Sequence, residues 1–148
     1  MLRADLTTYF LQVAEAVATR STCLDKQVGC VLVDKDFRII ATGYNGTPSG
    51  LQNCCDLGFC SKNQSHKIGE CLALHAEQNA LLSCNTRDVV TCYCTLEPCK
   101  QCTLMLMNSG CKQIYYIHKT NPKKSGEALF IGQGKGWKQW PIARIEPL

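Results

Sequence analysis

V-V-T-C-Y-C-T-L-E-P-C-K-Q-C, residues Val89 to Cys102, changes character halfway along. Val89 to Leu96 is a run of β-branched, aromatic and small apolar residues, the composition of a buried strand. Pro98 cannot donate to a strand ladder but sits well at the start of a helix. The spacing therefore predicts a helix from Cys99 to about Asn108, with Gly110 placed to end it. Beyond it Lys112 to His118 reads as a second strand, and before it Cys71 to Cys84 reads as a helix. Strands separated by helices of this length imply right-handed parallel crossovers.

Further out the pattern changes again. Leu6, Tyr9, Phe10, Val13, Ala14 and Val17 recur at intervals of three and four, which predicts an amphipathic helix from Asp5 to about Thr19. Val28 to Val33 and Arg38 to Thr42 are β-rich and are separated by D-K-D-F, the pattern of a hairpin. G-Y-N-G-T-P-S-G, Gly43 to Gly50, reads as a loop with no regular element, and an irregular stretch continues to about Gly69. Ser125 to Ile131 reads as a short helix and Ile142 to Ile145 as a short last strand. The expected architecture is a three-layer α/β/α sandwich with a mixed sheet, an antiparallel hairpin plus parallel strands, in a single domain over residues 1–148.

Composition narrows the function classes. No apolar run reaches the roughly 18 residues of a membrane span, and M-L-R-A-D-L-T-T-Y-F turns polar too early for a secretory signal. The expectation is a cytoplasmic protein with no membrane partner. The net charge is +4, with Lys119, Lys123, Lys124, Lys135, Lys138 and Arg144 set against Glu127 near the end of the chain. A modest excess of this kind is read as a solvated basic face, so no nucleic-acid partner is expected. Cysteine is the outlier, with 12 in 148 residues. Without a secretory signal these are expected to be reduced thiols or metal ligands. Those inside strand-like runs, such as Cys30, Cys92 and Cys94, need be no more than small buried hydrophobes.

One group of residues points to chemistry. In P-C-K-Q-C, Cys99 and Cys102 share one face of a first helical turn, where two thiolates can grip a tetrahedral Zn²⁺ and the positive helix end favours their charge. A CxxC pair also fits a thioredoxin-like redox site, but such a site has no need of H-A-E upstream. His75 precedes Cys99 by one helix, one turn and one strand, which returns the two helix starts to the same end of the sheet. Three protein ligands leave the fourth position to water, the mark of a catalytic zinc. Two thiolates and an imidazole nearly cancel the charge of Zn²⁺, so the ion acidifies water weakly and gains from a nearby carboxylate. Glu77 suits that role without touching the metal. Glu97, beside Pro98, is the alternative base, or a carboxylate that orients the loop or caps the helix.

H-A-E at His75–Glu77, followed by T-L-E-P-C-K-Q-C at Thr95–Cys102, resembles the zinc-dependent nucleobase and nucleoside deaminases, whose signature is H-x-E…P-C-x-x-C. R-S-T-C-L-D-K-Q-V-G-C-V-L-V from Arg20 and G-Y-N-G-T-P-S-G from Gly43 are similar to the deoxycytidylate deaminase family. That resemblance implies a cytidine-deaminase-like fold, zinc ligands at His75, Cys99 and Cys102, and a proton shuttle at Glu77. It implies hydrolytic attack on the carbon bearing the amino group, converting dCMP to dUMP with loss of ammonia and feeding dTMP synthesis. It further implies a homo-oligomer, commonly a hexamer, activated by dCTP and inhibited by dTTP, with Mg²⁺ accompanying the regulatory triphosphate.

Within the resemblance Asn45 matches a partner for the sugar hydroxyl, Ala76 a backbone contact to the base, and Arg20 with Lys26 partners for the 5′-phosphate. The glycines of Gly43 to Gly50 form either the regulatory triphosphate pocket or a plain turn. Some members hold a second, structural Zn²⁺, for which Cys23, Cys54, Cys55, Cys60, His66 and Cys71 are candidates. Two other functions compete: a deaminase of tRNA adenosine, guanine or free cytosine, and a zinc-stapled nucleic-acid-binding module using the basic tail.

Overall fold

The computed structural model describes residues 3–58 and 71–141. The chain opens with α1 (Leu6–Ala18), capped by the Asp5 carboxylate, which accepts a hydrogen bond from the Thr8 amide at 2.8 Å. The hairpin follows as β1 (Gly29–Val33) and β2 (Ile39–Tyr44), and a single helical turn, α2 (Cys54–Leu57), lies in the long connection. Then come α3 (Ala76–Leu81), β3 (Thr91–Leu96), α4 (Lys100–Met107), β4 (Gln113–His118), α5 (Glu127–Gly132) and β5 (Gly136–Gln139). The sheet order is β2-β1-β3-β4-β5. β1 pairs antiparallel with both β2 and β3, while β3, β4 and β5 are mutually parallel.

Period-two alternation builds the two cores. Cys30, Leu32, Cys92, Cys94, Ile114 and Tyr116 point to one face, where they meet Ala76, Ala80 and Leu81 of α3, Leu106 of α4 and Phe130 of α5. Val31, Val33, Tyr93 and Ile117 point to the other and pack on Phe10, Leu11 and Ala14 of α1. β1 is buried along its whole length because both faces are covered, whereas the edge strand β2 alternates between buried and exposed positions. The expected α/β/α sandwich with a mixed sheet is the fold observed. Among the described residues no helix is long and apolar enough to cross a membrane.

Three elements differ from the sequence reading. The helix expected from Cys71 begins only at Ala76, because Leu74 is engaged in an antiparallel bridge with Gly46, through N–H···O bonds of 2.8 and 3.1 Å. Gly43 and Tyr44, read as loop, complete β2 opposite Cys30 and Gly29. A fifth strand forms at Gly136–Gln139, where the sequence pattern predicts no element; it is held by its parallel ladder to β4. The strand expected at Ile142 to Ile145 lies outside the described residues, as do Cys60 and His66.

α3 rests on β2 with almost nothing between them. A Cβ placed at Gly43 would intrude on the Ala76 carbonyl oxygen and the Ala80 amide nitrogen, both backbone atoms. Replacing Gly43 with alanine should therefore lift the start of α3. The expected cost is about 1–3 kcal/mol, a fall of roughly 2–12 °C in Tm, together with weaker zinc retention. Thermal unfolding checks this, and an unchanged Tm would contradict the direct seat.

Candidate metal centre and active site

The two helix starts converge as the crossover requires. His75 is the N-cap of α3 and Cys99 the N-cap of α4, so each residue lies one position ahead of its helix rather than inside the first turn. The backbone of His75 is held by Gln78, whose Oε1 accepts from the His75 amide at 2.8 Å, half of a capping box. The Cys99 carbonyl accepts from the amide and the hydroxyl of Thr103, at 2.9 and 2.8 Å. On these anchors the His75 Nδ1 lies 3.5 Å from the Cys99 Sγ and 3.3 Å from the Cys102 Sγ. All three donor atoms fall within 4.8 Å of one another, and the site grades from exposed His75 to buried Cys102.

Two thiols and one imidazole nitrogen are the donor set that zinc takes at a site with an open fourth position. The residues therefore fit a catalytic zinc, held by His75, Cys99 and Cys102. The charges agree. Cys99 is lowered to about 4, because the Cys102 thiol donates to it and His75 adds a further contact. Cys102 is pushed up by the same Cys99 contact and by burial. The pair thus shares one proton. His75 is raised above its usual 6.5, chiefly by the Cys99 thiolate and against the effect of burial. A bound dication replaces the protons that these groups otherwise hold.

Glu77, the second residue of α3, is 4% exposed and its Oε1 accepts from the Cys94 thiol at 3.3 Å. It lies beside the cluster of three donors and is not one of them. Glu97 is equally buried, but its environment is different. Its Oε1 accepts from the Thr120 amide at 3.2 Å, and its Oε2 accepts from Ser125 Oγ and Trp137 Nε1, both at 3.0 Å. That carboxylate ties the β4–α5 loop and β5 to the end of β3, which is the loop-orienting role among the alternatives for it.

A cavity of about 300 Å³ opens onto His75, Glu77 and Cys99, with Asn45, Ala76, Lys26, Thr120 and Lys124 on its wall. Asn45 is heavily engaged. Its Oδ1 accepts from Ser21 Oγ at 2.6 Å and the Val28 amide at 2.9 Å, and its Nδ2 donates to the Lys26 carbonyl at 2.7 Å. Arg20 is exposed just past α1, outside the residues that line this cavity, whereas Lys26 does line it. Lys124, Gln78 and Cys94 were missed. Gln78 had a signal in its place three residues after His75, while the other two depend on chain neighbours that only the fold supplies. Cys23, Cys54, Cys55 and Cys71 form no further metal cluster among the described residues.

Residues 5–118 match the family model for the cytidine and deoxycytidylate deaminase zinc-binding region. The chain is 41% identical to the deoxycytidylate deaminase of Saccharomyces cerevisiae over 78% of its own length and 38% of that protein's. It is 39% identical to the deoxycytidylate deaminase of Mycobacterium phage D29, over 84% of this chain and all of that one. The chain thus spans well under half of the yeast relative and the full length of the phage one. Among solved structures it is similar to the dCMP deaminase of cyanophage S-TIM5 in complex with dCMP and dUMP. That match has a TM-score of 0.75 and 27% identity, over 95% of this chain and all of that one.

The raised His75 sets a pH dependence for the metal. Below its folded pKa the imidazole carries a proton that zinc must displace, so apparent zinc affinity should climb as pH rises through and above 6.5. Competition with a chelator across pH 5.5 to 8 (a range of about 2.5 units around the ordinary histidine value) measures it. Because the Cys99–Cys102 proton is displaced across the whole range, His75 shows as a steeper climb below its pKa than above it, and one unchanging slope would contradict a histidine ligand.

Proposed function

The chain belongs to the cytidine and deoxycytidylate deaminase family, and from that premise we propose that it catalyses the hydrolytic deamination of dCMP to dUMP. The observation that carries the reading is the buried Glu77 beside the His75, Cys99 and Cys102 cluster, at the floor of a cavity with lysines on its wall. His75, Cys99 and Cys102 would hold a zinc ion, which would supply Lewis acidity and lower the pKa of water at the reacting carbon. Glu77 takes the proton from the attacking water, hands it to the ring nitrogen, and carries the next to the departing amine, which leaves as ammonia. Burial places that carboxylate where bulk water does not compete for its proton.

Substrate selection follows from the wall. Among the described residues Lys26 and Lys124 are the lysines lining the cavity, so they take the 5′-phosphate in place of Arg20. Asn45 contributes the remaining N–H of its Nδ2 to the sugar, and Ala76 at the first position of α3 contributes backbone to the base. The likeness to relatives named deoxycytidylate deaminases, one of them solved with dCMP and dUMP, supports the nucleotide over a tRNA or guanine substrate.

The proposal extends to a regulated cytoplasmic hexamer that feeds dTMP synthesis, answers to dCTP and dTTP, and takes Mg²⁺ with the triphosphate at the Gly43–Gly50 loop. Exposed Leu82 and Leu104 supply apolar surface for assembly. A second, structural zinc is proposed in the long connection. Beside it, in the α1–β1 loop, the Cys23 Sγ accepts from the Asp25 and Lys26 amides at 3.4 and 3.5 Å, a setting suited to a thiolate ligand, and the Cys55 amide donates to the neighbouring Thr22 carbonyl at 3.1 Å.

Ammonia release from dCMP, cytidine, guanine and an adenosine-bearing tRNA hairpin, compared side by side, tests the assignment. Turnover should be fastest on dCMP, with cytidine slower for want of the phosphate. Activity confined to the tRNA hairpin would overturn it.

A further inference from the structure

Beneath Glu77 lies a group of thiols that the reaction does not consume. Cys30, Cys92 and Cys94 come from adjacent strands β1 and β3, all fully buried, with sulfur atoms within 4.8 Å of one another. Cys30 Sγ is 3.7 Å from Cys92 Sγ, and Cys92 Sγ is 3.4 Å from Cys94 Sγ. Cys30 and Cys92 thereby fill the space behind Cys94 as small apolar side chains. Cys94 differs from them, because its thiol reaches out of the group to Oε1 of Glu77 at 3.3 Å.

Resting on the deaminase reading above, we propose that Cys94 is a positioning residue for Glu77: its thiol holds Oε1 and leaves the second carboxylate oxygen aimed at the reacting groups. Three observations support it. Both partners are buried, so water does not replace the contact. Burial pushes the Cys94 thiol well above its ordinary range, so the sulfur keeps its hydrogen and remains a donor. Cys102 also lies close to Glu77, but it belongs to the His75 and Cys99 donor cluster, whereas Cys94 stands outside that cluster.

Glu97 shows what a purely structural carboxylate looks like in this fold: three N–H and O–H donors lock both of its oxygens. Glu77 instead is held at Oε1 by a weak S–H donor, which orients the group and keeps its second oxygen available. The sulfur neighbours matter here as well. With Cys92 packed against it, the Cys94 side chain cannot swing away from the carboxylate without opening a void in the core.

Two variants and one spectroscopic measurement test the proposal. Cys94→Val removes the donor while keeping an apolar side chain of similar shape. It should lower kcat roughly five- to thirtyfold, the loss expected for one hydrogen bond, with KM for dCMP and zinc content unchanged. Cys94→Ser restores a donor and should recover most of that loss. A fully active Cys94→Val, or a serine variant as slow as the valine one, would overturn the proposal. Independently of turnover, the infrared S–H stretching band that Cys94→Val abolishes should shift to higher frequency in Glu77→Gln, where a neutral amide oxygen accepts more weakly. An unmoved band would overturn the contact itself. Failure of the wild type to release ammonia from dCMP would instead sink the proposed function, and the band would still decide the contact.

Discussion

The seat of α3 on the hairpin is the constraint from which the site follows. Gly43 lets the helix backbone approach β2 without an intervening side chain, Asn79 Nδ2 donates to the Tyr44 carbonyl at 2.8 Å, and Leu74 bridges to Gly46. Together these fix the height and the starting point of α3, and hence where His75 and Glu77 stand. α4 starts at the same end of the sheet because β3 runs parallel to β4 and feeds its helix from that end. The three candidate ligands are thus N-cap and first-turn residues of two helices whose relative position is set by strand pairing. Neither helix needs to move for the three donors to meet.

The fold also separates two buried carboxylates by their surroundings. Glu97 spends both oxygens on hydrogen bonds that join the β4–α5 loop and β5 to the end of β3. Its work is to hold a wall of the cavity in place. Glu77, on a different element but similarly buried, meets a thiol on one side and the metal ligands on the other. A carboxylate that must accept and release protons benefits from fewer strong donors, whereas one that anchors a loop benefits from more. The sequence alone left both as candidate bases, since E-x and E-P contexts say nothing of what each oxygen meets after folding.

Most of the frame was legible because it rests on local patterns. Helical spacing in α1, β-rich runs at β1, β3 and β4, and Pro98 ahead of α4 are written within windows of ten to fifteen residues. The convergence of His75 with Cys99 and Cys102 was legible too, since one crossover must bring successive helix starts to one end of a sheet. What failed depended on distant partners. Leu72 and Leu74 continue the apolar spacing of α3, yet the bridge to Gly46 takes that segment out of the helix. β5 has weak propensity and exists through its ladder to β4 and the bond from Trp137 to Glu97. Lys124 reaches the cavity by way of a loop, and Cys94 meets Glu77 from 17 positions away. Arg20 is a plausible charge in the sequence whose place in the fold is outside the lining of this cavity.

The account stands on a carboxylate that works beside the metal without binding it. Turnover of dCMP per bound zinc, measured on Glu77→Gln against the wild type, tests that claim most directly. The variant should carry the same zinc per chain, and its turnover per zinc should fall by about 10²–10⁴-fold, the scale of a lost proton shuttle. Equal turnover per zinc would contradict the role assigned to Glu77, and a variant that loses its zinc would make Glu77 a ligand instead.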